Sequence, residues 1–234
     1  MPLIYIADTA GFPYGKKSPE EITERAIHLI AAMNGLAPTS PIILACNTLS
    51  TLTLEPLRAQ FPQLPFVGTV PAIKTAAAQS KSRRFTLLAT PNTAASKYSQ
   101  ELIAQFANDC VVDSYGAPNL AAMAEAMLLG DGILDEDLRK EIAPAFSDDG
   151  LGRTDILVLG CTHYPLIVDR LAPLTPWPVT FIDSSDAIAR RALSLGDTPP
   201  PRSIAYVTSA QHIERYRPVL AREGFDEVRA FMLA

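Results

Sequence analysis

"ILVLGCTHYPLI", residues 156–167, runs an apolar segment into Gly160 and then places a thiol, a hydroxyl, an imidazole and a phenol within four positions. The run has the length and apolar continuity of a buried strand. A core strand gains nothing from such groups at its end, because a polar group buried without a partner costs free energy. A site does gain from them.

Working outward, short apolar runs alternate with helical patterns along the whole chain. The expected strands are Leu3–Ala7, Pro41–Ala45, Pro65–Thr69, Phe85–Ala89, Cys110–Ser114, Thr154–Gly160, Val179–Ile182 and Ile204–Thr208. Between them lie amphipathic segments with start signals. In "SPEEITERAIHLIAAM", Ser18 is placed as N-cap, Pro19 at the first helical position and Glu21 as the closing member of a capping box. Asp135 is placed to cap "LDEDLRKEI". Strand–helix alternation of this kind predicts an α/β protein with mostly parallel sheets flanked by helices. Ligands then bind outside the carboxyl ends of the strands.

The chain also matches itself. "ILACNT" (43–48) and "VLGCTH" (158–163) each end an apolar strand with small–Cys–polar–polar. Gly68 follows Cys46 at the distance at which Asp183 follows Cys161, and Ala72-Ile73 correspond likewise to Ala187-Ile188. Both pairs open a helical stretch, "PAIKTAAA" and "DAIARRAL". The repeat predicts two pseudo-symmetric lobes facing each other across a cleft, with one thiol in each. Crossovers near Val70-Pro71 and Asp183-Ser184 divide the chain into residues 1–70 plus 184–234 (the Cys46 lobe) and residues 71–183 (the Cys161 lobe).

Composition narrows the setting. The chain has 234 residues, is 48% hydrophobic and 19% charged, and carries a net charge of -5. No basic face is evident for a nucleic-acid backbone, and "KSRR" (81–84) reads as a solvated turn. No apolar stretch approaches the ~18 residues of a membrane span. "MPLIYIADTAGF" lacks the basic start of a signal peptide. Three cysteines, an odd number, fit a reducing cytoplasm better than a disulfide scaffold.

Cys46 and Cys161 each precede a helix, with Thr48 or Ser50 available to cap the first and Pro165 suited to the first helical position of the second. The positive end of a helix favours thiolate there. Cys110, within "NDCVVD", reads as a small strand filler. A zinc site is one competitor, but no C-x-x-C or H-x-x-x-H spacing accompanies the thiols. A Cys–His hydrolase with His163 as base is another, and it leaves the second matched cysteine unexplained. Two mirrored thiols suit removal of a proton from one side of a carbon and its return from the other.

These residues resemble the glutamate racemases, members of the cofactor-independent aspartate/glutamate racemase superfamily. The resemblance runs over nearly the full length through "IYIADTAGFPYGKKSPEEI", "ILACNTLST", "VGTVPAIKTA", "LLATPNTAAS", "LGCTHYPLI" and "FIDSSDAIARRAL". "PYGKKSPEE" and "GCTHYP" together are specific, and each alone is weaker. The resemblance implies that Cys46 and Cys161 flank the α-carbon as base and acid, exchanging roles with the enantiomer. It implies that His163 assists, oriented by Glu125, which lies seven residues after Pro118. It also places Pro13, Tyr14, Gly15, Asn47, Thr48, Thr93 and Thr162 around the substrate. Hydroxyls, an amide and backbone N–H groups can hold a dicarboxylic amino acid without a strong cation that would tie up the thiolate. Asp8 is expected either to cap or to serve the site.

The same resemblance implies glutamate as substrate, D-glutamate destined for peptidoglycan, no pyridoxal phosphate or metal, and a homodimer. No nucleic acid or membrane partner is expected. Aspartate or another small amino acid, a non-catalytic dicarboxylate binder and a Cys–His amidohydrolase are the rival readings. The family begins with an additional strand and an Asp-Ser-Gly turn before "YIADT", whereas this sequence starts at Met1. The expectation is a shortened chain or a diverged, weakly active or inactive member.

Overall fold

The computed structural model describes residues 2–33, 36, 41–150, 152–196 and 202–232. Among them the strands are β1 (Ile4–Ala7), β2 (Ile42–Leu44), β3 (Phe66–Gly68), β4 (Arg84–Ala89), β5 (Val111–Gly116), β6 (Ile156–Gly160), β7 (Thr180–Ile182), β8 (Ile204–Val207) and β9 (Glu227–Ala230). The α-helices are α1 (Pro19–Met33), α2 (Asn47–Gln60), α3 (Ile73–Gln79), α4 (Pro91–Ala95), α5 (Lys97–Phe106), α6 (Leu120–Leu128), α7 (Asp135–Ile142), α8 (Val168–Leu171), α9 (Ser185–Ser194) and α10 (Ile213–Arg222). All eight expected strands form, each within two residues of its expected ends. β9 was not expected. Its "EVRA" mixes charged and apolar residues, and it earns its place as an edge strand paired in parallel with β8.

Every strand pairing among the described residues is parallel. The sheets run β5-β4-β6-β7, β1-β8-β9 and β2-β3. The protein is thus α/β with two lobes, one built on the four-stranded sheet and the other on the two smaller sheets. The four-stranded sheet explains why "ILVLG" is apolar throughout. Ile156 and Val158 pack on one face with Phe85 and Leu87, while Leu157 and Leu159 pack on the other with Leu88 and Leu120. A strand alternates its side chains between faces, so a sheet covered on both sides needs continuous apolar runs. Full burial of one such side chain stabilises by about 1.5–3 kcal/mol.

Gly160 ends β6 because Ala89 and Leu87 stand against it: an added Cβ would meet their side chains at 2.8 Å. The glycine lets two central strands finish side by side and releases Cys161 at the sheet's carboxyl edge.

In the other lobe β1 pairs only with β8, and β2 only with β3, among the described residues. Between them runs an apolar slot bordered by Leu3, Tyr5 and Ile43, with α1 and α9 contributing Leu29, Met33 and Leu193. Leu3, Tyr5 and Ile43 stay 45%, 38% and 44% exposed.

Local start signals are partly as expected. The α1 capping box forms, with Ser18 N donating to Glu21 Oε2 at 2.8 Å and Glu21 N to Ser18 Oγ at 3.2 Å. Asp135 does not cap α7; Leu134 holds that position, and Asp135 pairs with Arg170 at 2.5 Å. Of "KSRR", Arg84 is not in a turn but in β4, held by Asp113 and Asp149. Cys110 lies just before β5 rather than within it, half-buried against the core. No helix among the described residues is long and apolar enough to cross a membrane.

Candidate active site

The polar groups gather where the strands end. Asp8 follows β1, Cys46 stands two residues past β2, Thr90 follows β4, Cys161 follows β6 and Thr208 follows β8. A cavity of about 540 Å³ reaches from the β1–β2 slot to these ends. Its lining includes both Cys46 and Cys161, together with Asp8, Pro13, Tyr14, Gly15, Asn47, Thr48, Thr162 and His163. Thr162 Oγ1 donates to the carbonyl of Ala45 at 3.1 Å, which ties the two cysteine turns directly to each other. The repeat seen in the sequence is therefore one place in space.

Cys46 is itself the N-cap of α2. Its Sγ accepts from the backbone N–H of Leu49 at 3.5 Å, in the position the sequence had reserved for Thr48 or Ser50. Thr48 lies inside the helix and Ser50 instead donates to the Leu44 carbonyl at 3.1 Å. Burial nevertheless pushes the Cys46 thiol up, against the pull of the Leu49 and Thr48 donors. The helix end moderates the cost of ionisation without overcoming it.

Cys161 is followed by a single 3-10 turn, Tyr164–Ile167, and only then by the short α8. Burial pushes this thiol up to about 12, the His163 backbone N–H opposes, and negative charge on Cys46 raises it further. Burial disfavours the thiolate at both cysteines, and charge on Cys46 disfavours it further at Cys161. His163 Nδ1 stands 4.0 Å from Cys161 Sγ, and its Nε2 is 2.9 Å from Glu125 Oε2. Glu125 lies behind His163 on α6, where it also accepts from the Tyr216 hydroxyl at 2.5 Å. Burial pushes the Glu125 carboxyl up, but the His163 and Tyr216 hydrogen bonds and the imidazole charge outweigh it and the net shift is down.

Asp8 is fully engaged. Its Oδ2 accepts from Tyr14 OH and Arg25 Nε, both at 2.5 Å, and its Oδ1 from Arg25 Nη2 at 2.5 Å and Thr208 Oγ1 at 2.7 Å. These donors outweigh burial and hold its carboxyl below the usual range. Gly15 is needed for the close approach of the Tyr14 turn to the other lobe, since a Cβ would meet Thr90 Cβ at 2.8 Å.

Thr48, Thr90 and Thr93 join hydroxyls at 2.8–3.1 Å. Thr93 is fully buried behind the other two. Thr90, which sequence reasoning passed over, lines the cavity. Its only signal was its place directly after a strand. Asn47 is 2% exposed, and its Oδ1 has no hydrogen-bond partner among the described residues.

Comparison with known proteins bears on this geometry. A family model described as Asp/Glu/Hydantoin racemase matches residues 1–192. The chain belongs to this racemase family. It is 46% identical over 196 residues to the glutamate racemase of Sinorhizobium medicae, covering 84% of this chain and 72% of that protein. The racemase of Brucella ovis is 47% identical over 192 residues, covering 82% and 69%. Among solved structures, the Escherichia coli glutamate racemase in complex with L-glutamate and the activator UDP-MurNAc-ala superposes with a TM-score of 0.89 at 36% identity, over 99% of this chain and 88% of that one. A Bacillus anthracis glutamate racemase isoform shares the fold at 22% identity, with a TM-score of 0.82, 100% of this chain and 88% of that one being covered.

Proposed function

We propose that this racemase interconverts L- and D-glutamate by moving the α-proton between two thiols, Cys46 on one face of the substrate carbon and Cys161 on the other. The observation that carries the reading is that two cysteines from repeated strand-end motifs line one cavity, with their turns joined by the Thr162–Ala45 hydrogen bond. Relatives named glutamate racemase at 46–47% identity support glutamate over other amino acids.

In each turnover one cysteine enters as thiolate and the other as thiol. The thiolate takes the α-hydrogen as a proton, leaving the electron pair on the α-carbon, delocalised into the carboxylate. The opposite thiol then gives its proton to the other face and is left as thiolate. The protonation states of the two cysteines are exchanged, and transfer with solvent restores them. A dry cavity strengthens the basicity of the starting thiolate. His163, oriented by Glu125, assists proton movement at Cys161. The unpartnered Asn47 carbonyl suits the substrate ammonium. Thr48, Thr90 and Thr162 hydroxyls and the amides opening α2 suit its carboxylates, with Thr93 buttressing the first two. Asp8 fixes Tyr14, and with it the Pro13–Gly15 turn that closes the cleft.

The lobes divide at 70/71 and 183/184 in this reading, and the product D-glutamate serves peptidoglycan in the cytoplasm. A homodimer is the proposed assembly. The reaction proceeds without pyridoxal phosphate or metal. The test is D-glutamate formation from L-glutamate by purified protein with chelator present and no added cofactor, followed by circular dichroism. Racemisation that a thiol-alkylating agent abolishes, with substrate protecting, supports the reading. Activity lost to chelator and restored by zinc, preference for L-aspartate, or ammonia release from glutamine would each contradict it.

A further inference from the structure

Tyr216 lies on α10, beyond the residues 1–192 that the family model matches. Its ring is buried with Ala7, Ala205, Val207 and Leu220, in the core of the lobe that carries β1 and β8. Its hydroxyl leaves that core and donates at 2.5 Å to Oε1 of Glu125, on α6. The neighbouring Arg215 Nη2 bonds both oxygens of Asp131, just past α6, at 2.8 Å. One turn of α10 therefore grips the carboxyl half of α6.

The consequence runs along the chain of contacts. Glu125 uses Oε1 for Tyr216 and Oε2 for His163 Nε2, and His163 then presents Nδ1 to Cys161. A carboxylate held at one oxygen can rotate about its terminal torsion, whereas donors at both oxygens fix its plane. A fixed acceptor at Nε2 keeps the proton on that nitrogen and leaves Nδ1 with its lone pair toward the thiol. Tyrosine suits the task because it donates without adding a cation that would neutralise Glu125. Burial first, then the Glu125 hydrogen bond and charge, push its own ionisation well above the ordinary range, so the donor persists. The other titratable groups around it are Tyr5 from β1 and Arg215 beside it on α10.

We propose that Tyr216 is a positioning residue, which locks Glu125 from the opposite lobe and thereby holds His163 as the Nε2–H tautomer facing Cys161. The catalytic consequence rests on the reading of Cys161 as one of the two bases, while the tautomer itself does not.

Tyr216→Phe removes one oxygen and keeps the buried ring. The measurement is nitrogen-15 NMR of the imidazoles, with His163 assigned by substitution and Glu125→Gln as the reference for a lost acceptor. In the unaltered protein His163 should be the Nε2–H form, and in Tyr216→Phe a mixture of tautomers. In parallel, kcat/KM should fall about 10-fold in Tyr216→Phe but by less than about twofold when the same change is made in Glu125→Gln. The fall must be equal from both enantiomers, because the equilibrium between them is fixed. An unchanged tautomer in Tyr216→Phe, or an undiminished 10-fold loss in the Glu125→Gln background, would overturn the proposal. A tautomer that responds in a protein that racemises no glutamate would uphold the positioning role and overturn the racemase reading instead.

Discussion

The two cysteine turns end equivalent strands, yet they manage their thiols by different means. Cys46 opens the 14-residue α2 and takes a backbone N–H on its sulfur. The Asp8 carboxylate, which lines the same cavity, is closed on itself with Arg25, Tyr14 and Thr208. Cys161 has only a 3-10 turn behind it, and in place of a helix it has an imidazole backed by Glu125 and Tyr216. The repeat preserves where the thiols sit, not how their protons are handled. One side uses a fixed dipole and the other a group that can itself carry a proton.

The largest effect should come from removing either sulfur. Cys46→Ala and Cys161→Ala should each lower kcat/KM by more than about 10³-fold, since neither proton transfer can substitute for the other. Cys110→Ala should stay within about twofold of the unaltered protein. Full activity in either of the first two, measured from both enantiomers, would break the pairing of the lobes.

Next is the imidazole side. Glu125→Gln keeps the shape but loses the charge opposite His163, and should cost about 10²-fold, at the low end of general acid–base assistance. Measured α-deuterium isotope effects should rise more for the enantiomer whose proton goes to Cys161. Equal rises for both enantiomers would mean that the relay serves the cleft as a whole.

The helix side is sharpened by Leu49→Pro, which deletes the N–H bonded to Cys46 but sits in the first turn, where proline is tolerated. Alkylation of Cys46 should slow by about 10-fold at a pH below its titration, because the thiolate loses a donor. Cys161 should be unaffected, and Leu49→Ala, which keeps the N–H, should alkylate normally. Slowing in Leu49→Ala as well would assign the effect to packing.

The smallest effect concerns acid stability. The Asp8 carboxyl is held low by Arg25, Tyr14 and Thr208 against burial. A group with a lowered folded pKa stabilises fully above its unfolded value, about 3.9 for Asp, and that stability is lost as pH falls through the folded pKa. Asp8→Asn should therefore lower Tm at neutral pH by about 2–4 °C per kcal/mol lost, with the deficit shrinking below about pH 4. A deficit that is constant down to pH 3 in calorimetry would remove the ionic contribution.

Much of this was legible in the sequence because the signals are local. Strand runs such as "ILVLG", the Ser18–Glu21 box and the paired Cys turns each depend on a few adjacent residues. The cap of α2 was misread because Thr48 and Ser50 are better general cappers, while the backbone after β2 turns early enough to put Cys46 itself there. The pairing of Glu125 with His163 was legible through the family resemblance, but Arg25 as partner of Asp8 and Tyr216 as second partner of Glu125 were not. Arg25 and Tyr216 sit within ordinary amphipathic helices, and their roles exist only once α1 packs beside the end of β1 and α10 packs across α6. β9 escaped because its residues at 227–230 are half polar, as an edge permits.

The central claim is that two different groups handle the proton on opposite faces. L-glutamate incubated with the protein in D₂O, followed by proton NMR with chiral separation of the enantiomers, tests it most directly. The account predicts that D-glutamate formed in the first turnovers carries α-deuterium, because the donating thiol has exchanged with solvent, while the remaining L-glutamate keeps its original hydrogen. D-glutamate that retains the substrate hydrogen, or residual L-glutamate that gains deuterium as fast as product appears, would contradict it and assign both steps to a single base.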